Sequence, residues 1–215
     1  MVQPVDCRGG EILTIGEGSL PLVYFPETLI ACLSAGDRNI SIGMIGREGM
    51  VGWGCLTASG MDHQACVELG GGTALAVRSG RLRAAVAVSP SLALTLLGFV
   101  QTFTMQMGQR ILCSRITGSA AQVSAWLLMF HDRVDGDEIA ITHLRLGSLL
   151  KLGRGSITDA LHVLEGERVI CCTRGRTVVR NRALLETLAG SFYGPAESIY
   201  RAAIGPFGKL SVPSP

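Results

Sequence analysis

Between Ile141 and Ile170 the chain reads ITHLRLGSLLKLGRGSITDALHVLEGERVI. Two short stretches with helical spacing flank a basic, glycine-broken corner, KLGRG. Leu146, Leu150, Leu152, Ile157 and Ala160 fall where two short helices bury side chains against each other, and Gly147 is small where they would cross. Thr142 is placed to cap the first helix, leaving its hydroxyl and amide near a phosphate. The second helix is predicted from Arg154 to Glu165, with Ile157, Leu161 and Leu164 inward and Arg154, Gly155, Thr158, Asp159 and His162 outward. That outward face is polar, narrow and short-chained, as entry into a DNA major groove requires. Val169 to Val179 reads as two strands folding over TRGRT, which brings Arg174 and Arg176 to a hairpin tip within reach of a DNA backbone. A helix-turn-helix followed by such a hairpin is a winged helix.

Charge concentrates on the same region. Residues 1–140 carry nine Lys/Arg against twelve Asp/Glu, whereas residues 141–182 carry eight against three. A localised basic patch suits a polyanionic partner, although a solvated basic surface has the same composition. Charged residues make up only 17% of the chain and apolar ones 47%, a balance that argues against disorder and for a face covered by a second subunit. No apolar run reaches the roughly 18 residues of a membrane span, the nearest being interrupted at Ser89-Pro90-Ser91. The N-terminus lacks a basic segment followed by an apolar one, so no secretory signal, no membrane association and a cytoplasmic location are expected. The seven cysteines (Cys7, Cys32, Cys55, Cys66, Cys113, Cys171 and Cys172) are odd in number and irregular in spacing. They predict neither a disulfide framework nor a zinc site.

Along the chain, residues 1–80 read as short strands separated by glycines: LVYF ending at Pro26, TLIACLS, ISIGMIG, ACVEL and TALAV. Ser89-Pro90-Ser91 starts a long helix reaching Arg115. Leu97, Val100, Thr104, Met107 and Ile111 form one stripe on it and Leu92, Leu96, Phe99 and Phe103 a second, so one face is expected to cover the strands and the other to pair with a second copy. Burial of both within one chain is the alternative. Gly118 to Val134 predicts a helix with Val123, Trp126, Leu127 and Phe130 on its apolar face; residues 183–201 predict another, and GPFGKLSVPSP a mobile tail. The expected fold is α+β: a β-roll over 1–88, a dimerisation helix over 89–116, a winged helix over 117–205 and a flexible tail over 206–215.

The Ile141–Ile170 segment resembles, without a gap, the helix-turn-helix of the Crp/Fnr transcriptional regulators. GGEIL, VYFP and IGMIGREGMVG resemble that family's antiparallel β-roll sensor, and SAWLLMFHDRVDGDEIAITH the join to its DNA-binding domain, so the likeness spans nearly the whole chain. It implies a homodimer on double-stranded DNA, with Arg154, Gly155 and Asp159 at base-reading positions and Thr142, Gly153 and Ser156 at phosphate-contacting ones. Thr158, His162, Lys151, Arg174 and Arg176 complete the expected DNA surface. Arg154 would read a guanine and Asp159 would accept from a cytosine amino group.

Departures from the family pattern shape the expectations. Gly155 replaces a longer side chain and cannot read a base; Lys151 stands where a glycine usually supplies a positive φ, so either strain of about 1 kcal/mol or a different turn is expected there. Glu48 matches the glutamate of the family's cyclic-nucleotide sites, but Ser59 to Ala65 (SGMDHQA) has no arginine for the cyclic phosphate, so no cyclic-AMP binding is expected. Cys7 stands alone, so no iron–sulfur cluster is expected either, and the family's leading helix is expected to be missing, either truly or through a misplaced start. Haem held by His63 or His131 is the weaker reading, and no cofactor or metal is expected. Acid–base chemistry at His131, Asp132, Asp135, Asp137 and Glu138 gives way to a solvated acidic loop. ELGGGTAL lacks the lysine of a phosphate loop, and Cys171 and Cys172 point to opposite faces of a strand, so no enzyme is expected. Three readings stay open: a DNA-binding regulator with an unidentified small-molecule effector and RNA polymerase as a further partner, a dimeric sensor that has lost specific DNA binding, and a regulator switched by a thiol at Cys32, Cys55 or Cys66.

Overall fold

The structure, a computed structural model, describes residues 2–13, 22–35, 40–56, 63–116 and 118–209. The chain divides into two compact units, one of residues 1–104 with 202–205 and one of residues 105–201 with 206–215.

The first unit is built from two antiparallel sheets. β1 (Gln3–Arg8), β7 (Gly71–Arg78) and β3 (Leu22–Pro26) form one, in the order β1-β7-β3. β2 (Ile12–Leu13), β6 (His63–Val67), β4 (Ala31–Ala35) and β5 (Ile40–Ile45) form the other, in the order β2-β6-β4-β5. The strands expected from period-two patterning are present, and Val23, Ala31, Leu33, Ile45, Val51, Ala65, Val67 and Ala74 supply the core. α1 (Ser79–Val88) was not expected. It buries only Ser79 and Leu82, so no apolar period marks it, and Ser89 breaks it from α2 (Pro90–Ile116). No single helix among the described residues is long and apolar enough to cross a membrane.

On α2 the two stripes differ. Leu96, Phe99 and Phe103 are buried, the two rings 6.2 Å apart. Leu97 is 63% and Ile111 61% exposed, Thr104 is exposed, and Val100 and Met107 are half-buried. Phe99 lies hard against the turn after β5: a Cβ on Gly49 would stand 2.0 Å from its ring.

In the second unit, α3 (Ser119–His131) is buried on every side from Gln122 onward, not on one face as its spacing implied. It carries α6 (Arg182–Ala189) and α5 (Arg154–Gly166) against it. The helix expected over 183–201 is two, α6 and α7 (Pro195–Ala203), because Gly190 and Gly194 adopt positive φ between them. The acidic loop is solvated only from Asp135 to Glu138. His131, Asp132 and Arg133 are buried, and Arg182 donates to His131 Nδ1 at 2.9 Å and to Asp132 Oδ1 at 2.8 Å. Tyr193 donates to Asp132 Oδ2 at 2.6 Å, and the Lys209 amide to Oδ1 at 3.0 Å. Phe207 packs against Tyr200 with the rings tilted and their centroids 5.1 Å apart, so the start of the expected tail is tied down; residues 210–215 lie outside the described residues.

Candidate nucleic-acid interface

α4 (His143–Leu150) and α5 form the helix-turn-helix. Thr142 is extended and its Oγ1 accepts from the Arg145 amide at 3.1 Å, the expected cap. Leu146, Leu149, Leu150, Ile157, Ala160, Leu161 and Leu164 are buried. The crossing is close at Gly147, where a Cβ would stand 3.3 Å from both Ile157 Cγ1 and the Leu152 carbonyl. Lys151 adopts φ 54°, ψ 36°, the left-handed conformation its position called for, and its amide donates to the Gly147 and Ser148 carbonyls. A β-carbon there costs on the order of 1 kcal/mol. Burial of Leu146, Leu149, Leu150 and Ile157 about the elbow is large enough to offset a cost of that size.

α5 begins at Arg154, after an extended Gly153 that offers no side-chain cap. The first-turn amides therefore keep their partial positive charge available to an anion. Arg154, Gly155, Ser156, Asp159 and His162 are exposed, and nothing lies within 4 Å of a Cβ built on Gly155. Thr158 differs from expectation: it is half-buried and its hydroxyl donates to the Arg154 carbonyl at 2.9 Å. A recess of about 740 Å³ opens in the elbow, with His143, Leu144, Lys151, Arg154 and Thr158 among its walls. Leu144 is 84% exposed, an apolar side chain beside a basic turn that spacing alone did not single out.

The wing follows. β9 (Ile170–Thr173) and β10 (Arg176–Val179) pair antiparallel around Arg174 and Gly175, the latter at φ 77°. β8 (Glu138–Ile139) adds to the other edge of β10, with Ile139 opposite Thr177. The Glu165 carboxylate accepts from the Cys172 amide at 2.7 Å and so fastens α5 to the wing. Burial pushes the Cys172 thiol up to about 11. Arg174 is exposed at the tip, whereas Arg176 pairs with Glu138 at 2.9 Å, both side chains being largely exposed. Sequence reasoning missed that pair, because Glu138 is far from Arg176 in sequence and reaches it through β8.

His131 has Nε2 2.8 Å from Asp137 and Nδ1 2.9 Å from Arg182, so both ring nitrogens are engaged. Glu48 accepts from the Gly46 amide at 3.0 Å and braces its own turn. Ser59 to Asp62, the first part of the window without arginine, lie outside the described residues, as does the side chain of His63. None of the cysteines is in a disulfide.

No family model and no curated protein sequence matches the chain. Solved structures do. FixK2 from Bradyrhizobium japonicum superposes with a TM-score of 0.72 at 16% identity, covering 89% of this chain and 98% of that one. A CRP/FNR-family transcriptional regulator from Thermus thermophilus gives 0.68 at 16% identity, over 87% of this chain and 98% of that one. CLP, the c-di-GMP responsive global regulator of Xanthomonas campestris, gives 0.63 at 11% identity, over 84% and 94%. Antiparallel sheets, a long helix and a winged helix-turn-helix, in that order along nearly the whole chain, are the fold of the Crp/Fnr transcriptional regulators.

Proposed function

We propose that this protein is a homodimeric, sequence-specific DNA-binding transcription regulator of the cytoplasm, and that α5 is its recognition helix. The observation that carries the reading is the division of α5. Ile157, Ala160, Leu161 and Leu164 are buried, while Arg154, Ser156, Asp159 and His162 stand exposed on a helix whose N-terminal amides have no side-chain cap. Arg154 reads a guanine by its two major-groove acceptors, and Asp159 accepts from a cytosine amino group. Thr142, Lys151, Gly153, Ser156, Arg174 and Arg176 hold the backbone. Thr158, with its hydroxyl turned to its own helix, contributes its methyl group and shape. Leu97, Val100, Thr104, Met107 and Ile111 pair with the same residues of a second copy, which sets two α5 helices about 34–36 Å apart on a near-palindromic site. RNA polymerase is the further partner if the outcome is activation.

Selection of bound sequences from a random duplex pool tests this directly. The pool should converge on two half-sites about one helical turn apart, and Arg154→Ala should relax one base position in each, a loss of roughly 1–3 kcal/mol in discrimination. An unchanged ratio of specific to random binding in that variant removes Arg154 from the readout. A second reading is favoured by the Arg176–Glu138 pair and by Gly155: a dimeric sensor whose DNA contact is unspecific. It predicts a pool that fails to converge at moderate salt. A third, a thiol-switched regulator, is favoured by the pairing of Cys32 with Cys66.

A further inference from the structure

We propose that Cys66 and Cys32 form a redox pair in the four-stranded sheet, Cys66 as the attacking thiol and Cys32 as the resolving one. The proposal gives the thiol-switched reading a chemical site, and its test makes no use of DNA. β4 and β6 run antiparallel with Cys32 directly opposite Cys66, so both sulfurs project from the same face. Two residues along the same ladder, the Glu68 amide donates to the Ile30 carbonyl at 2.8 Å. Alternate pairs of an antiparallel ladder are the bonded ones, which makes Cys32–Cys66 a bonded pair with α-carbons about 5.5 Å apart. That lies inside the range of roughly 4.4–6.8 Å that a disulfide spans. The β-carbons of such a pair stand about 5 Å apart and must close to about 4 Å. The bond is therefore strained, and strained disulfides are the easily reduced, regulatory kind.

Burial assigns the roles. The exposed Ile12 lies opposite Cys66 on one side, and Cys66 itself is half-buried; Cys32 is buried, as is Met44 opposite it on β5. The row thus runs from solvent to core across four strands. A small disulfide reaches Cys66 and not Cys32. The Cys66 thiolate attacks one sulfur of oxidised glutathione and expels one glutathione thiolate, leaving a mixed disulfide. The Cys32 thiolate then attacks the Cys66 sulfur and expels the second. Two protein thiols and one glutathione disulfide become one protein disulfide and two glutathione thiols. Cys7 and Cys55 compete poorly: both are buried, and burial raises each thiol above its usual range.

The test equilibrates the reduced full-length protein in glutathione buffers of graded ratio, quenches with acid, alkylates the remaining thiols and maps linked peptides by mass spectrometry. The expected product joins the Cys32 and Cys66 peptides, persists in Cys55→Ser, and reverses with dithiothreitol. Cys32→Ser should stop at a glutathione adduct on Cys66, and Cys66→Ser should give neither adduct nor link. A link between Cys66 and Cys55, an oxidation that survives Cys66→Ser, or no link at any ratio overturns the proposal. Uptake of a monovalent copper ion by the two thiols with no link formed likewise overturns it, and makes the row a soft-metal site. Should a serine variant fail to fold, the wild-type peptide map decides alone.

Discussion

Gly155 and Lys151 sit near the two ends of the elbow with opposite backbone problems. Gly155 has helical geometry and open space around it, so Gly155→Ala should stabilise the protein by up to about 1 kcal/mol, read as a higher denaturation midpoint. Lys151 holds a left-handed conformation with a β-carbon, so Lys151→Gly should relieve on the order of 1 kcal/mol of strain. If Lys151 touches a phosphate, the same variant should lower the slope of log affinity against log salt by about 1. Stabilisation with an unchanged slope removes Lys151 from the interface. Gly155 was legible as a glycine among helix formers, a local demand, whereas the positive φ at Lys151 was expected only from the resemblance to a family with glycine at that turn. Thr158 and Arg176 were not legible. The first turns its hydroxyl to a carbonyl of its own helix, a rotamer choice that spacing does not encode, and the second meets a carboxylate through strand register.

Elements with one buried and one wet face were the readable ones. α5 and the first-unit strands alternate visibly, whereas α3 is buried all round from Gln122 onward, Gln122 and Ser124 included, so the single apolar face its spacing named was too narrow. α1 is the converse, a mostly exposed helix with little to bury. The join of α3 to α6 depended on a buried polar cluster that reads, in one dimension, as a soluble acidic loop. His131 lies in it, and burial holds its pKa below the ordinary value of about 6.5, outweighing the bond to Asp137. As pH falls through about 6.5 the unfolded chain takes up a proton that the folded His131 refuses, so stability should fall on acidification, by at most about 1.4 kcal/mol per pH unit. Glu197 acts in the other direction. Its buried carboxyl titrates above its ordinary value of about 4.5, and the fold is favoured while it stays protonated. Denaturant titrations at pH 7.5, 6.5 and 5.5 should therefore show stability falling on acidification in the wild type, a trend that vanishes or reverses in His131→Gln, where the opposing Glu197 is left, even though that variant is less stable throughout. A slope unchanged by the substitution assigns the proton to another group.

α2 carries apolar side chains on a face the described residues leave exposed. A chain with 17% charged residues has little polar surface to spare, yet Leu97 and Ile111 are each more than 60% exposed on one helix face. A face of that kind is costly to leave in water, at about 25 cal/mol per Å². In the proposed dimer a second copy of the same helix would cover it, by the two-fold operation that a near-palindromic DNA site also requires. The proposed dimer and the proposed recognition helix therefore stand together in one measurement. Leu97→Glu with Ile111→Glu places like charges across the seam while leaving the buried Leu96, Phe99 and Phe103 untouched, so the monomer should stay folded. Sedimentation should report half the wild-type mass. Affinity for the selected site should drop by roughly 10²–10⁴, since each half-site then binds without the effective concentration its partner supplies. A double variant that sediments as the wild type does would move the seam elsewhere. One that is monomeric but binds its site undiminished would show that a single α5 suffices, and the two-half-site geometry would fall with it.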